Sequence, residues 1–116
     1  MEYLRLNIMI DIDKLERSIM LAQKAINAIT NLEDGGTCNF DTCCIYLGRK
    51  SKKLVEGLAQ IDWRVTPVDM GKFWTGWWFV DFNVKGQGNC RTRMVECGAK
   101  VLRSLGYQTR IYYQID

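Results

Sequence analysis

The stretch Trp74-Thr75-Gly76-Trp77-Trp78-Phe79-Val80-Asp81-Phe82-Asn83-Val84 decides the fold, because its side chains alternate in character from residue 77 onward. One set is uniformly apolar, as the core-facing side of a strand is, and comprises Trp78, Val80, Phe82 and Val84. The other set mixes rings with polar groups and comprises Trp77, Phe79, Asp81 and Asn83. The stretch therefore predicts a strand with one core face and one face that is either half-exposed or a ligand platform.

The segments around this strand predict a small α+β fold. Further strands are expected at 42–47, 62–65 and 107–115, with Pro67 ending the second of them. Helices are expected after Ser51 and over 90–105, where Gly106 ends the helix. We therefore predict a small, mostly antiparallel sheet packed with a long N-terminal helix and a C-terminal helix.

The N-terminal helix is predicted over residues 13–32. Its apolar residues recur at alternating spacings of four and three, and they are Ile8, Ile12, Leu15, Ile19, Ala22, Ile26 and Ile29. Such a seam fits a helix that associates with another copy, and it equally fits a helix that faces its own core. Residues 1–10 fit either a short strand or part of this helix.

The length of 116 residues suits one domain with one hydrophobic core. Within the domain 1–116, we expect residues 1–33 to be a helical oligomerisation segment and residues 34–116 to be the α+β core. Charge is uneven, since residues 1–41 hold 4 Lys/Arg against 7 Asp/Glu and residues 42–116 hold 12 against 6. The basic part favours an anionic partner.

The chain has no predicted transmembrane segment and no N-terminal pattern of a signal peptide. Its five cysteines, including the adjacent pair Cys43 and Cys44, fit reduced thiols better than a disulfide framework. We therefore expect a cytoplasmic protein with no membrane partner.

Histidine is absent from the sequence, which excludes Ser-His-Asp and Cys-His catalysis and every metal site that needs imidazole. No pair of cysteines has the C-x-x-C spacing of a zinc site, so neither a metal nor a cofactor is expected. A metal-dependent phosphodiesterase would have to work through Asp41, Asp69 or Asp81. The preferred prediction is that the protein is not an enzyme.

A glycine turn, Gly86-Gln87-Gly88-Asn89, leads into the C-terminal helix and predicts an anion site. Asn89 is a good N-cap, and Arg91 and Arg93 follow in the first helical turn, where the helix dipole disfavours cations. A phosphate bound there by backbone N–H groups and guanidinium groups would reverse that penalty. The alternative is a glycine-rich loop followed by solvated arginines.

Aromatic side chains off the core face form the second constellation, namely Trp74, Trp77, Phe79 and Tyr112. If the strands that carry them are neighbours, Trp77 and Phe79 share a face with Arg110, Tyr112 and Gln114, and rings beside arginines stack nucleobases. The alternative is that a second layer covers these rings as core. Asn39, in the polar turn at 35–41, is a further candidate that either hydrogen-bonds the ligand or caps a strand.

Three segments carry a resemblance to a known family: Gly35-Gly36-Thr37-Cys38-Asn39-Phe40-Asp41, the glycine turn with Arg91-Thr92-Arg93, and Tyr112-Tyr113-Gln114-Ile115-Asp116. Over residues 35–116 the chain resembles the first-described Thoeris anti-defence family of phage proteins. The resemblance implies a sponge that binds cyclic ADP-ribose isomers, and in some members cyclic di- or trinucleotides of the CBASS pathways, without cleaving them. It also implies assembly from dimers into hexamers, with pockets at subunit interfaces.

The resemblance assigns roles to three residues of this sequence. Phe79 would stack on adenine, Asn89 would contact the ligand from the glycine turn, and Arg110 would contact the pyrophosphate. The remaining predicted ligand residues follow from the patterns above and are Asn39, Trp77, Gly86, Gln87, Gly88, Arg91, Arg93 and Tyr112. We thus expect a homo-oligomeric sponge for cyclic nucleotides in the cytoplasm of an infected bacterium. The alternative is a module that binds single-stranded nucleic acid or inhibits a nuclease, although no stable nucleic-acid partner is expected.

Overall fold

The computed structural model describes residues 12–29, 41–48, 56–57, 65–84 and 89–113. Its elements are, in chain order, α1 (Ile12–Asn27), β1 (Thr42–Tyr46), β2 (Val65–Pro67), a 3₁₀ turn (Lys72–Trp74), β3 (Trp77–Val80), α2 (Asn89–Ser104) and β4 (Thr109–Tyr112). The predictions for residues 1–10 lie outside the described residues, as does the helix predicted after Ser51 apart from helical residues 56 and 57.

The four strands form one antiparallel sheet in the order β2-β3-β1-β4. The central strand β1 pairs Ile45 with Trp78 of β3 and with Thr109 of β4. Both helices pack on one side of this sheet, which we call the inner face. The predicted α+β class, with a small antiparallel sheet and two helices, is confirmed.

The inner face and the two helices together form the core. The strand residues in this core are those that the alternation predicts on the inner face, with Cys43 and Ile45 from β1 and Trp78 and Val80 from β3. The seam of α1 packs into the same core against α2, and its buried residues are Leu15, Ile19, Ala22 and Ile26. The structure thus shows the core-facing alternative for this helix. Self-association stays a prediction that the seam no longer supports.

The alternation continues four residues beyond the end of β3 at Val80, and in that continuation the backbone of Asn83 bonds to α1. The side-chain amide of Gln23 donates to the carbonyl oxygen of Asn83 at 2.8 Å and accepts from its N–H at 2.8 Å. The chain therefore leaves the sheet while Phe82 still enters the core, where it is 5% exposed. The alternation predicted burial correctly and strand length incorrectly.

The other two strand predictions also differ at their ends. Pro67 lies inside β2 rather than after it, which an edge strand permits because the missing N–H faces away from the sheet. β4 starts at Thr109 rather than 107, because the preceding residues cap α2. The N–H groups of Gly106 and Tyr107 donate to the carbonyls of Arg103 and Leu102, respectively, which is a Schellman arrangement.

A glycine inside α2 allows Phe82 to reach the core. A Cβ atom built on Gly98 would overlap the Phe82 ring, lying 2.8 Å from its Cζ atom. We expect Gly98→Ala to lower the free energy of unfolding, because overpacking costs about 1–3 kcal/mol and alanine returns only about 1 kcal/mol of helix propensity. Urea unfolding measures the effect, with the exposed Lys100→Ala on the same helix as control. A more stable Gly98→Ala would contradict the close packing.

Within the described residues, no helix is long and apolar enough to cross a membrane. The compartment of the protein stays a prediction from the sequence.

Candidate functional site

Five aromatic rings lie together on the face of the sheet opposite the helices, the outer face. This outer-face cluster comprises Tyr46, Trp74, Trp77, Phe79 and Tyr112. The rings meet edge to face in a chain: centroids are 5.7 Å apart for Tyr46 and Trp77, 6.4 Å for Trp77 and Trp74, 5.9 Å for Trp74 and Tyr112, and 6.2 Å for Tyr112 and Phe79. This is the preferred geometry of ring pairs, and it makes one connected surface from rings that are distant in sequence.

Arg110 and Tyr112 of β4 share a face with Trp77 and Phe79 of β3, although the two strands are not the direct neighbours that the prediction assumed. Gln114, predicted on the same face, lies outside the described residues. β1 lies between them, and its Cys44 pairs with Phe79 on one side and with Arg110 on the other. The Cys44 thiol therefore forms part of the floor of the outer face, and the residue is completely buried. Nothing in the sequence indicates this strand order.

Arg110 lies in the middle of the cluster and is held by three contacts. Its guanidinium carbon is 4.3 Å from the centroid of the Trp77 ring and 5.3 Å from that of Trp74, both within cation–π distance. Its Nη1 group donates a hydrogen bond of 2.9 Å to the carbonyl oxygen of Phe73. The side chain is still exposed, so a guanidinium with five donors is fixed in place and open to solvent.

The predicted ring residues differ in how much of each is accessible. Trp77 is only 8% exposed, because Arg110 lies over its ring and Tyr46 and Trp74 lie at its sides. Phe79 and Tyr112 are half-buried and keep part of their surface open. Trp77 is therefore the covered ring of the cluster, whereas Phe79, Tyr112 and Trp74 are partly open and Tyr46 is 45% exposed.

The first turn of α2 is tied to the start of β1. The hydroxyl of Thr92 donates to a carboxylate oxygen of Asp41 at 2.7 Å, and Nε of Arg91 donates to the Asp41 carbonyl at 3.2 Å. Asp41 is buried, with 4% of its surface exposed. Arg91 thus takes part in a structural contact as well as lying at the predicted anion site, whereas Arg93 is exposed.

The centre of the predicted anion site is only partly described. Gly86, Gln87, Gly88 and Asn39 lie outside the described residues, and of Asn89 only the backbone, in the first turn of α2, is described. The helix nevertheless begins at the same end of the sheet as Tyr112, since Thr42 pairs with Tyr112 and follows Asp41, the partner of Thr92. Arg91 and the open rings of the cluster therefore lie at the same end of the molecule.

Two consecutive residues of β1, Cys43 and Cys44, carry buried thiols on opposite faces of the sheet. Burial raises the pKa of Cys43 to about 12, and the nearby Cys44 also raises it, against a lowering by Arg103. Burial likewise raises the pKa of Cys44 to about 12, against a backbone hydrogen bond at Tyr112 and the charge of Arg110. Neither thiol is an activated nucleophile, which would need a lowered pKa.

The raised thiol pKa values predict a loss of stability in alkali. Thiols of the unfolded chain ionise near their ordinary pKa of 9.0, whereas the folded thiols ionise near 12. Between these values the unfolded chain binds fewer protons, so the free energy of unfolding falls as pH rises from 9 toward 12. Urea unfolding at several pH values measures this slope, and Cys43→Ala and Cys44→Ala should each flatten it. An unchanged slope in both variants would contradict the raised values.

The three carboxylates considered for metal-dependent catalysis do not converge. Asp41 bonds Thr92 at the start of α2, Asp69 follows β2 beside the start of β3, and Asp81 follows the end of β3. Across the described residues, no group of three or more Cys, Asp or Glu side chains is placed to hold a metal ion. The described carboxylates therefore lend no support to the phosphodiesterase alternative.

A shallow cavity of about 240 Å³ lies at the start of β3. Among the predicted ligand residues that the structure describes, only Trp77 lines it, beside Gly48, Pro67, Val68, Asp69, Thr75, Gly76 and Trp78. Its volume is below the roughly 300–1,000 Å³ of ordinary ligand pockets. The outer-face cluster is thus the stronger candidate.

Sequence reasoning missed Tyr46 as a member of the cluster and Trp74 as a candidate ligand residue. Tyr46 was not recognised as a candidate, although the alternation of β1 places it opposite the core residues Ile45 and Leu47. Trp74 stood out as a ring but not as a ligand residue, because nothing in the sequence shows that the 3₁₀ turn folds back over the sheet. Its contact with Tyr112, two strands away, is a tertiary feature.

The fold and the site define a small α+β protein with an arginine-centred aromatic face on its sheet. Comparisons with protein-family models, with curated proteins and with solved structures give no match to this chain.

Proposed function

We propose that the protein is a non-catalytic sponge that binds and sequesters a cyclic nucleotide signal, either a cyclic ADP-ribose isomer or a cyclic di- or trinucleotide. The observation that carries the proposal is the Arg110 guanidinium fixed among the open rings of the outer-face cluster. Rings stack on a base, and a guanidinium binds the phosphates attached to it. The resemblance to the Thoeris anti-defence family supplies the step from nucleotide to immune signal.

The roles within this proposal follow from accessibility. Phe79 keeps part of its ring open for stacking on the base, Tyr112 is the second candidate ring, and the exposed Arg110 guanidinium binds a phosphate. Arg91 and Arg93, in the first turn of α2, extend the phosphate site, and the glycine turn predicted to join them lies outside the described residues. Trp77 holds the Arg110 guanidinium in place rather than stacking on the base, since little of its ring is accessible.

Holding the nucleotide rather than cutting it suits the residues that are present. The chain has no histidine, and the described carboxylates do not converge on the cluster. A sponge needs a pocket complementary to the ground state of its ligand, with no positioned general base. The wider setting, a homo-oligomer acting in the cytoplasm of an infected bacterium, belongs to the same proposal.

Calorimetric titration of the purified protein with a panel of cyclic ADP-ribose isomers and cyclic oligonucleotides tests the proposal. We expect saturable binding of at least one member, with intact ligand recovered by chromatography after the complex is heated. Hydrolysed ligand would contradict sequestration, and absence of binding across the panel would contradict the proposed ligand class. The chromatography needs a parallel sample of heated free ligand as control.

The salt dependence of binding separates the sponge from the nucleic-acid alternative, which the basic part of the chain and the row of rings favour. Affinity for single strands falls steeply with ionic strength because many phosphates are neutralised. Binding of a small cyclic nucleotide involves few phosphates and should change little. A steep salt dependence together with tight binding of single strands would favour the alternative.

A further inference from the structure

A short segment between β2 and β3 lies over the outer-face cluster. We call residues 71–76 the strap. It contains the 3₁₀ turn, and its first and last residues are Gly71 and Gly76, whose φ values are 96° and 85°. Trp74 of the strap contacts Trp77 on β3 and Tyr112 on β4, and β1 lies between those two strands. The Trp74 ring therefore lies across the middle of the outer face, above β1.

Side chains hold the middle of the strap, while backbone hydrogen bonds hold only its end. The N–H groups of Trp74 and Thr75 donate to carbonyls within the strap, whereas the carbonyl of Gly76 accepts from Leu47 and Gly48. The side chain of Phe73 is 88% exposed and anchors nothing. The described contacts that hold the middle of the strap to the sheet are thus the Trp74 ring and the bond from Arg110 to the Phe73 carbonyl.

The strap in this position leaves little room for a planar ligand. Trp74 meets Tyr112 edge to face at an interplanar angle of 84°, so the strap and the sheet are already in van der Waals contact there. A base that stacks needs a free ring face. Movement of Trp74 away from the sheet uncovers Tyr112, and the glycines at the two ends of the strap are suited to absorb the backbone change.

We propose that the strap is a hinged cover of the outer-face cluster, that Arg110 latches it, and that Trp74 forms the roof over the bound base. The free protein has the strap closed. A ligand phosphate competes with the Phe73 carbonyl for the Arg110 guanidinium, and it wins because a hydrogen bond between two charged groups is stronger than one to a neutral carbonyl. Arg110 is a positioning residue for Trp74 as well as a phosphate contact. The ligand part of this inference rests on the proposed function, whereas the latch itself does not.

Trypsin cleavage after Lys72, inside the strap, tests the latch without any ligand. Loss of the cation–π contacts and of the hydrogen bond in Arg110→Ala should speed this cleavage roughly ten-fold or more. Cleavage after Lys24 in α1 reports global unfolding and should not change. Arg110→Lys should recover part of the protection, and Arg103→Ala, a surface arginine that bonds Thr109, should leave it intact. Equal acceleration at Lys24 and Lys72, or none at Lys72, would overturn the latch.

Alkylation of Cys44 in the wild-type protein tests the unlatching by phosphate. Cys44 and Cys43 are both fully buried, the first on the outer face and the second in the core, so Cys43 is an internal reference in the same peptide. Inorganic pyrophosphate should speed iodoacetamide labelling of Cys44 several-fold, with Cys43 unchanged. It should have no effect in Arg110→Ala. Unchanged labelling of the wild type would overturn unlatching by phosphate.

The two measurements separate the strap from the function. A latch that passes the trypsin test in a protein that binds no cyclic nucleotide would leave the strap standing and remove the proposed ligand. Tight nucleotide binding by a protein whose strap is cleaved at the same rate in Arg110→Ala would support the proposed ligand and remove the latch. Loss of the Arg110 charge cannot by itself mimic opening at Cys44, because that charge lowers the thiol pKa and its removal slows labelling.

Discussion

Phe79→Ala is expected to weaken the binding of a cyclic ADP-ribose isomer by roughly 5- to 150-fold, because a stacked base is worth about 1–3 kcal/mol on alanine substitution. Phe79 is half-buried beside Tyr112, with part of its ring open on the outer face. It makes no side-chain hydrogen bond, so the loss would come from the ring alone. Isothermal titration calorimetry of wild type and variant with the same ligand measures the ratio.

Two control variants make this result specific. Phe79→Tyr keeps the ring and should keep most of the affinity. Tyr113→Ala removes a ring that lies off the cluster and bonds Glu96 of α2, so its affinity should equal that of the wild type. Equal binding by wild type and a folded Phe79→Ala would show that the base does not stack on this residue, and the site would have to be sought elsewhere.

Leu102→Ala is expected to lower the free energy of unfolding by about 2–5 kcal/mol, which is the range for a fully buried leucine. Leu102 is completely buried in α2, the helix that contacts α1, β1 and β4. Its loss therefore leaves a cavity where both helices meet the sheet. Urea unfolding followed by circular dichroism measures the change.

Leu21→Ala is the matched control, because it is the same substitution at a leucine of α1 that is 52% exposed. We expect it to alter stability by less than about 0.5 kcal/mol, as surface substitutions usually do. A small effect at Leu102 would mean that the core collapses around the deletion. A large effect at Leu21 would instead indicate that this exposed side chain is buried by a partner, as the predicted homo-oligomer allows.

The sequence was informative wherever a pattern is local. Alternation in β1 and β3 placed Cys43, Ile45, Trp78 and Val80 in the core, and Gly106 marked the end of α2. The period of α1 identified its buried side, but not what covers it. A seam with this spacing packs equally well on a second copy or on α2, because both present the same kind of apolar helix surface.

The ends of the strands were predicted less well, since side chains from elsewhere in the chain decide them. The amide of Gln23, sixty residues away, takes the backbone bonds of Asn83, where the alternation still predicts a strand. β2 is an edge strand that pairs with β3 only, and this position in the sheet allows Pro67 to be part of the strand. Neither the bond from Gln23 nor the edge position of β2 is visible in the local sequence.

For the candidate site, the sequence by itself determined the chemistry: rings on the polar side of β3, arginines in the second half of the chain, and no histidine. Only the tertiary structure decided the arrangement. It placed β1 between β3 and β4, set Arg110 on Trp77, and folded Trp74 over the sheet. The physical reason is that alternation fixes which face a side chain occupies, whereas strand order and loop path depend on contacts between residues that are far apart in the chain.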